Sequence, residues 1–361
     1  MWPNGWVRGA VTSSMLPDRR SGGVPLSVLD TSPIVSGSTA REALGNSLDL
    51  ARCAERLGYH RYWVAEHHGM RGVAAAATAV VVGRIADATA RIRVGSGAVL
   101  LPNHAPIVVA EQFGTLEAFH PGRIDLGVGR ALGGSRRSAD AVRSAGERAA
   151  LTFREQLREL VDQFDPAADP AVRAVPAPGN RPSIWLLGSS DGSGELAGST
   201  GLPYAFAHHL RPEGAPSALG LYRNGFSPSP MCPEPTVLVS VALIAADSDE
   251  RAQWLAGSTR LKVLGRHRGR RILLPSPQEA AAHLWTADDR AAVEGAAGRV
   301  LVGSPDTLVG LLQDVVDGTG ADELAITTPV HAHEDRCRSY ELAARIGRRL
   351  TSYREARNSA T

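Results

Sequence analysis

The sequence predicts an α/β protein of the (β/α)8 TIM-barrel class, and three observations carry that expectation. From Arg61 to Arg130, short apolar runs alternate with stretches of helical length in the order strand, helix, strand, helix, strand. Each apolar run stops at chemically active residues: Tyr62 to Ala65 at Glu66-His67-His68-Gly69, Ile92 to Val94 at Gly95-Ser96-Gly97, and Ile124 to Val128 at Gly129-Arg130. Strands joined through helices lie parallel, and α/β proteins place their sites at the carboxyl ends of such strands. The same unit recurs about eight times between Pro25 and Arg348, the number that closes a barrel.

The first strand is expected at Leu26 to Leu29. After the loop Asp30 to Gly37, Thr39 and Glu42 have capping-box spacing, Leu44, Leu48, Ala51 and Ala54 form one apolar face, and Gly58 is placed to end the helix. The second helix is expected over Ala74 to Ala90, where Ala74 to Ala77, Ala79, Ala86, Ala88 and Ala90 permit close packing against a partner helix. The third covers Pro106 to Phe119, and His120-Pro121-Gly122-Arg123 turns into the fourth strand. Ala131 to Arg148, rich in Gly, Ser, Arg and Ala, reads as an insertion over a site. A helix over Ala149 to Gln163 follows, then a connection from Pro166 to Pro182 that holds five prolines.

The fifth strand, Ser183 to Leu187, leads through Gly188 to Ser193 into a helix from Gly194 to Ser199. The sixth, Leu202 to Ala207, ends at His208-His209 before a helix over Ala215 to Asn224. The seventh, Thr236 to Ala245, precedes a helix from Ser248 to Leu261 opened by Asp247 or Ser248. Gly265 to Gly298 exceeds one unit and is expected to be a helical insertion around Pro277 to Leu284 and Ala287 to Ala297. Ser304 caps a helix through Val316, Glu323 to Thr328 is the eighth strand, and Glu334 to Thr351 closes the chain. The expected architecture is therefore a TIM barrel with insertions after strands 4 and 7.

Composition narrows the function. A hydrophobic share of 43% with 21% charge is globular, and 39 basic against 37 acidic residues leave no dominant charged block. The basic run Arg266-His267-Arg268-Gly269-Arg270-Arg271 carries no interleaved aromatics, so nucleic acid is not an expected partner. Val73 to Val82, the longest apolar run, is too short to span a bilayer. Residues 1 to 23 have no apolar h-region and are expected to be a disordered extension ahead of one barrel domain, 24 to 355. Cys53, Cys232 and Cys337 are far apart and odd in number, which fits neither a disulfide framework nor a zinc site and points to a reducing cytoplasm.

Several strand ends carry candidate chemistry. Gly188 to Ser193 offers backbone N–H donors and hydroxyls at a positive helix end, as a phosphate requires, although read alone it is best explained as a Ser-Gly turn with a capping serine. Arg130 follows Gly127-Val128-Gly129 and fits either a bidentate phosphate contact or a surface ion pair. His67 and His68, beside Glu66, can exchange protons near neutral pH. A metal reading of this pair is disfavoured, because the first strand ends in Asp30-Thr31 and not in His-x-His, so no metal is expected.

Ala65-Glu66-His67-His68, the run from Val94 to His104, the run from Gly122 to Arg130, and Gly188-Ser189-Ser190 together resemble the bacterial luciferase-like, flavin-dependent monooxygenases. The resemblance extends from Pro25 to Arg348 and keeps the family's order and spacing. It implies a barrel, dimeric through its second and third helices, that uses reduced FMN or the deazaflavin F420. It places the flavin phosphate on Gly188, Ser189, Ser190, Ser193 and Arg130, and a catalytic base at His67. It also places a non-proline cis peptide under the flavin ring at Ser96–Gly97. His68, His208 and His209 are expected to be structural. Ser189 stands where the luciferase has an acidic residue, and Gly129 where it has a reactive cysteine, so light emission is not implied.

The leading expectation is a two-component monooxygenase: a separate flavin reductase delivers reduced FMN, and O2 is used to oxygenate a small organic substrate, with secondary metabolism as one setting. The rivals are an F420-dependent hydride-transfer enzyme and a flavin-binding barrel without turnover.

Overall fold

The computed structural model describes residues 23–131, 136–142, 151–297 and 299–353. Nine parallel strands, β1 (Leu26–Asp30), β2 (Arg61–Val64), β3 (Arg93–Leu100), β4 (Ile124–Gly129), β5 (Ser183–Gly188), β6 (Tyr204–Phe206), β7 (Val237–Ala245), β8 (Val300–Gly303) and β9 (Glu323–Thr327), form one sheet. β1 pairs with both β2 and β9, and β7 with both β6 and β9, so eight strands close into a barrel with β8 outside it. The α-helices are α1 (Ala40–Leu57), α2 (Thr78–Ala88), α3 (Pro106–Phe119), α4 (Arg136–Val142), α5 (Phe153–Gln163), α6 (Asp191–Thr200), α7 (Ala215–Asn224), α8 (Asp249–His267), α9 (Pro277–Ala281), α10 (Ala287–Ala297), α11 (Pro305–Thr319) and α12 (His333–Gly347). None is long and apolar enough to cross a membrane.

Local signals set most boundaries. Thr39 and Glu42 form the expected capping box of α1, and Gly58 ends that helix with a left-handed φ of 83°. Thr152 and Glu155 make the same box for α5, which therefore begins at Phe153. Ser248 and Ser304 cap α8 and α11, and each such cap contributes about 1 kcal/mol. The chain is pinned at its start, where Val24 N donates to Gly347 O at 3.1 Å.

Four expectations are corrected. The third strand does not stop at Gly95 but runs to Leu100, with a register shift between Ser96 and Val99. The non-proline cis peptide lies at Gly97–Ala98, not at Ser96–Gly97. Ser96 is held in regular register with Val64 and Leu126, and its Oγ donates to Gly127 O at 2.8 Å, so the irregularity falls one residue later. α2 begins at Thr78 because Ala74 N donates to Ser32 O and Ala75 O accepts from His67 N, which ties Ala74 to Ala77 to the barrel mouth. β8, absent from the sequence reading, extends the sheet where β7 outruns β6, Ala242 pairing with Val300 and Ala245 with Gly303. Residues 1–22 of the expected extension, and 132–135 and 143–150 of the segment after β4, lie outside the described residues.

The interior is layered. At the amino ends of the strands, Arg61 is fully buried and binds Asp125 Oδ2 (2.7 Å) and both oxygens of Glu323 (2.8 and 3.0 Å). Arg93 holds the other oxygen of Asp125 at 2.7 Å, so two cations face two carboxylates. Above them Leu29, Trp63, Trp185, Ala205, Leu238 and Ala325 form an apolar plug inside the barrel. The two indoles meet edge to face with centroids 5.4 Å apart, and the Arg61 guanidinium lies 4.7 Å from the Trp185 ring.

Burial alone would raise the pKa of Glu323 and Asp125, but Arg61, with His60 and Arg93, outweighs it and holds both below their ordinary values. A carboxylate with a depressed folded-state pKa stabilises the fold above its unfolded value, and that contribution disappears as the pH falls through the folded value. Arg61→Met is expected to cost roughly 3 to 5 kcal/mol by urea denaturation, because it strands buried charge. A loss under about 1 kcal/mol would show that the network is not stabilising.

Candidate active site

The carboxyl ends of β2 to β6 form an arc above the tryptophan plug. β2–β3 register sets Val64 opposite Ser96, which brings Ala65 and Glu66 alongside Gly97 and Ala98. β4–β5 register sets Gly129 opposite Leu187, which puts Arg130 beside Gly188 on the neighbouring strand. Gly97 has no room for a side chain: a Cβ there would lie 2.8 Å from Leu29 Cδ1 and 3.0 Å from Trp63 Cβ. The wall over the plug at this point is therefore bare backbone.

On the β2 side, Glu66 is buried and organises two histidines. Its Oε1 bonds His68 Nε2 at 2.7 Å and His104 Nε2 at 2.8 Å, while Oε2 accepts from Leu100 N at 3.2 Å. Burial opposes ionisation of Glu66, but the bond and charge of His104 and the bonds from His68 and Leu100 outweigh it and lower its pKa. These ligand atoms of Glu66, His68 and His104 lie within 4.8 Å of one another, in a set that holds no thiol.

His67 differs from both. Burial lowers its pKa, with the Glu66 charge opposing and His68 adding to the shift, so it is neutral at pH 7. Its Nδ1 is buried without a hydrogen-bond partner among the described residues. Across the mouth, His209 Nδ1 lies 2.8 Å from Ser240 Oγ. Burial first, then His208 and His67, pushes the pKa of His209 down to about 4 against the backbone bond at Ser240.

The loop after β5 is braced from within. Ser193 Oγ accepts from Ser190 N at 3.1 Å, donates to Ser190 O at 2.6 Å and meets Tyr204 OH at 2.8 Å. A Cβ on Gly188 would lie 2.3 Å from that oxygen, so only glycine lets the strand end pass it. Ser193 is thereby occupied, and Ser190, whose Oγ lies 3.3 Å from that of Ser193, caps α6 at the end where its first amides face outward. Arg130 is exposed at the end of β4, and Ser189 is half-buried. Arg211, which the sequence did not single out, lies against the same loop: a Cβ on Gly214 would lie 3.4 Å from Arg211 Nε and 3.5 Å from Ser189 O.

The profile of the luciferase-like monooxygenases matches residues 25–323. The chain belongs to this family. A luciferase-like monooxygenase of Escherichia coli K12 is 43% identical over 91% of this chain and 98% of its own. An N-acetyl-S-alkylcysteine monooxygenase of Bacillus subtilis is 33% identical over 88% and 97%. The crystal structure of apo-MsnO8 superposes with a TM-score of 0.84 at 39% identity, covering 90% of this chain and 98% of that one.

The donors present fit the flavin that luciferase-like monooxygenases use. A flavin phosphate would be held by Arg130, Ser190 and the first α6 amides, and its ring would meet the bare backbone at Gly97 near the uncharged His67. Ser96 is engaged in the sheet through its side chain and can contribute only through its position. Two features escaped the sequence reading: the grip of Glu66 on His104, which depends on a contact between two strand ends, and the neutrality of His209, which depends on closure.

Because the folded-state pKa of His209 lies below the unfolded value of 6.5, its contribution is full above that pH and is lost as the pH falls toward about 4. His209→Gln is therefore expected to flatten the decline in urea-denaturation stability across this interval. An unchanged slope would place the ring in solvent.

Proposed function

We propose that the protein is the oxygenase of a two-component system, binding reduced FMN from a separate reductase and using O2 to oxygenate a small organic substrate. The observation that carries this reading is the pairing of a phosphate-compatible cradle at Arg130 and Ser190 with a neutral histidine, His67, on the same barrel mouth. The near-full-length relatives named as monooxygenases support FMN over F420, since a deazaflavin carries hydride and does not activate oxygen. When bound, the reduced flavin supplies the two electrons needed to activate O2.

The chain's own groups do the rest. Arg130, Ser190 and the first amides of α6 hold the phosphate, and the braced Ser193–Tyr204 pair keeps that cradle rigid. The plug of Trp63 and Trp185 closes the barrel beneath the ring and excludes water from below. The uncharged His67 accepts or returns a proton at the reacting face, while Glu66 keeps His68 turned aside. Asp191, exposed in the first turn of α6, is the carboxylate closest in sequence to the cradle and opposes an anion there.

The protein is also proposed to be a homodimer through α2 and α3, because Val80 and Phe119 are 73% and 75% exposed on those helices. Light scattering at micromolar concentration should give the mass of two chains, and a monomer mass would reject this.

Anaerobic titration with reduced FMN and with reduced F420, followed by stopped-flow mixing with oxygen, tests the main reading. Selective FMN binding with an oxygen-dependent spectral change is expected, whereas selective F420 binding would transfer the protein to the hydride-transfer class. Arg130→Ala should weaken FMN binding about 10- to 100-fold. His67→Ala should preserve affinity and slow single-turnover product formation by roughly 10² to 10⁴. Earlier unfolding with normal turnover in the folded fraction would instead make His67 a packing residue.

A further inference from the structure

Two of the three cysteines, distant in sequence, are brought together by closure of the barrel. Asp49 and Cys53 stand four residues apart on α1, and His333 and Cys337 four residues apart on α12, the neighbouring helix once the last strand pairs with the first. Residues at i and i+4 share a helix face. Here the two faces meet: His333 Nε2 lies 2.9 Å from Asp49 Oδ2 and 3.5 Å from Cys337 Sγ, and the Cys53 thiol neighbours that of Cys337. The ligand atoms of Asp49, His333 and Cys337 all fall within 4.8 Å of one another.

We propose that Asp49, Cys53, His333 and Cys337 form a four-ligand site for a divalent cation of zinc type, linking the first and last helices on the outside of the barrel. Three of the four ligand atoms are already gathered, and Cys53, which stands outside that group, has to turn its Sγ toward the ion. Bond lengths of about 2.0 Å to N and O and about 2.3 Å to S imply ligand separations of about 3.3 Å for N···O and about 3.6 Å for N···S. The observed 2.9 and 3.5 Å need only small side-chain movement to reach these values. The donor set, two thiols with one imidazole and one carboxylate, selects a borderline cation over magnesium or calcium.

Access agrees with this. Asp49 is exposed, His333 and Cys337 are half-buried, and Cys53 is buried at the back, so an ion can enter from solvent and finish against the helices. On binding, the ion replaces both thiol protons, which leave to solvent, and no electron is transferred. His333 Nδ1 is buried without a partner among the described residues, which leaves Nε2 as the ligand atom. The flavin reading does not enter this argument, since the cluster lies in the helix layer and not at the strand ends.

The test uses the full chain, reduced and stripped with a chelator, titrated with Co2+ and then Zn2+. One equivalent of cobalt should produce a thiolate-to-cobalt charge-transfer band, zinc should bleach it, and zinc should raise the melting temperature. Cys337→Ser should abolish most of the band, Cys53→Ser should roughly halve it, and His333→Ala should weaken binding at least about 10-fold. Circular dichroism confirms that each variant is folded. The Glu66, His68 and His104 cluster contains no thiol, so metal bound there would give no such band. A parent protein that takes up no cobalt with thiolate character would overturn the assignment, as would a band unchanged in Cys337→Ser. Formation of a Cys53–Cys337 disulfide in a protein that retains no metal would also overturn it.

Discussion

A single guanidinium inside the barrel sets the terms for the rest of the structure. Arg61 has no exposed surface, and a buried cation is tolerable only if its partners are close and fully bonded. Asp125 from β4 and Glu323 from β9 supply those partners from opposite sides of the barrel, and Arg93 from β3 and Ser27 from β1 complete their coordination. The network therefore ties strands that are not neighbours in the sheet. It also fixes register, since sliding any of these strands by one residue would turn its charge outward and leave the others unpaired.

The plug of tryptophans stands on that base. Trp63 follows Arg61 by two residues and so points the same way, and its Nε1 donates to Asp125 Oδ2 at 2.9 Å. With Trp185 it closes the barrel at mid-height, and everything reactive lies above. The division of labour is spatial: charge at the amino ends for register, aromatics for closure, and donors with neutral histidines at the carboxyl ends for chemistry. Within the upper layer, Glu66 binds His68 and His104 and leaves His67 unpartnered, so neighbouring histidines differ in role because of one carboxylate.

Much of this was legible in the sequence, for identifiable reasons. Parallel strands buried on both faces read as apolar runs, and Thr39, Gly58, Ser248 and Ser304 mark helix ends through local chemistry. What the sequence concealed depends on contacts between distant segments. The cis bond fell at Gly97–Ala98 because the sheet holds Ser96, and no property of Gly95-Ser96-Gly97 alone decides that. The alanine run at Ala74 to Ala77 has high helical propensity, yet its backbone bonds to the loop after β1 and stays out of the helix. β8 is too short to stand out from its surroundings and exists only because β7 is long. Cys53 and Cys337 look unrelated until closure sets α12 against α1.

The central claim is that the barrel mouth holds a flavin with its phosphate between β4 and α6. A crystal structure of the protein grown with FMN tests this most directly. The account predicts the phosphate within hydrogen-bond distance of the Arg130 guanidinium and of Ser190 Oγ or the first amides of α6, with the ring against Gly97–Ala98 on the side of His67. Phosphate density away from Arg130 and α6, or a ring outside the arc from β2 to β6, would contradict it.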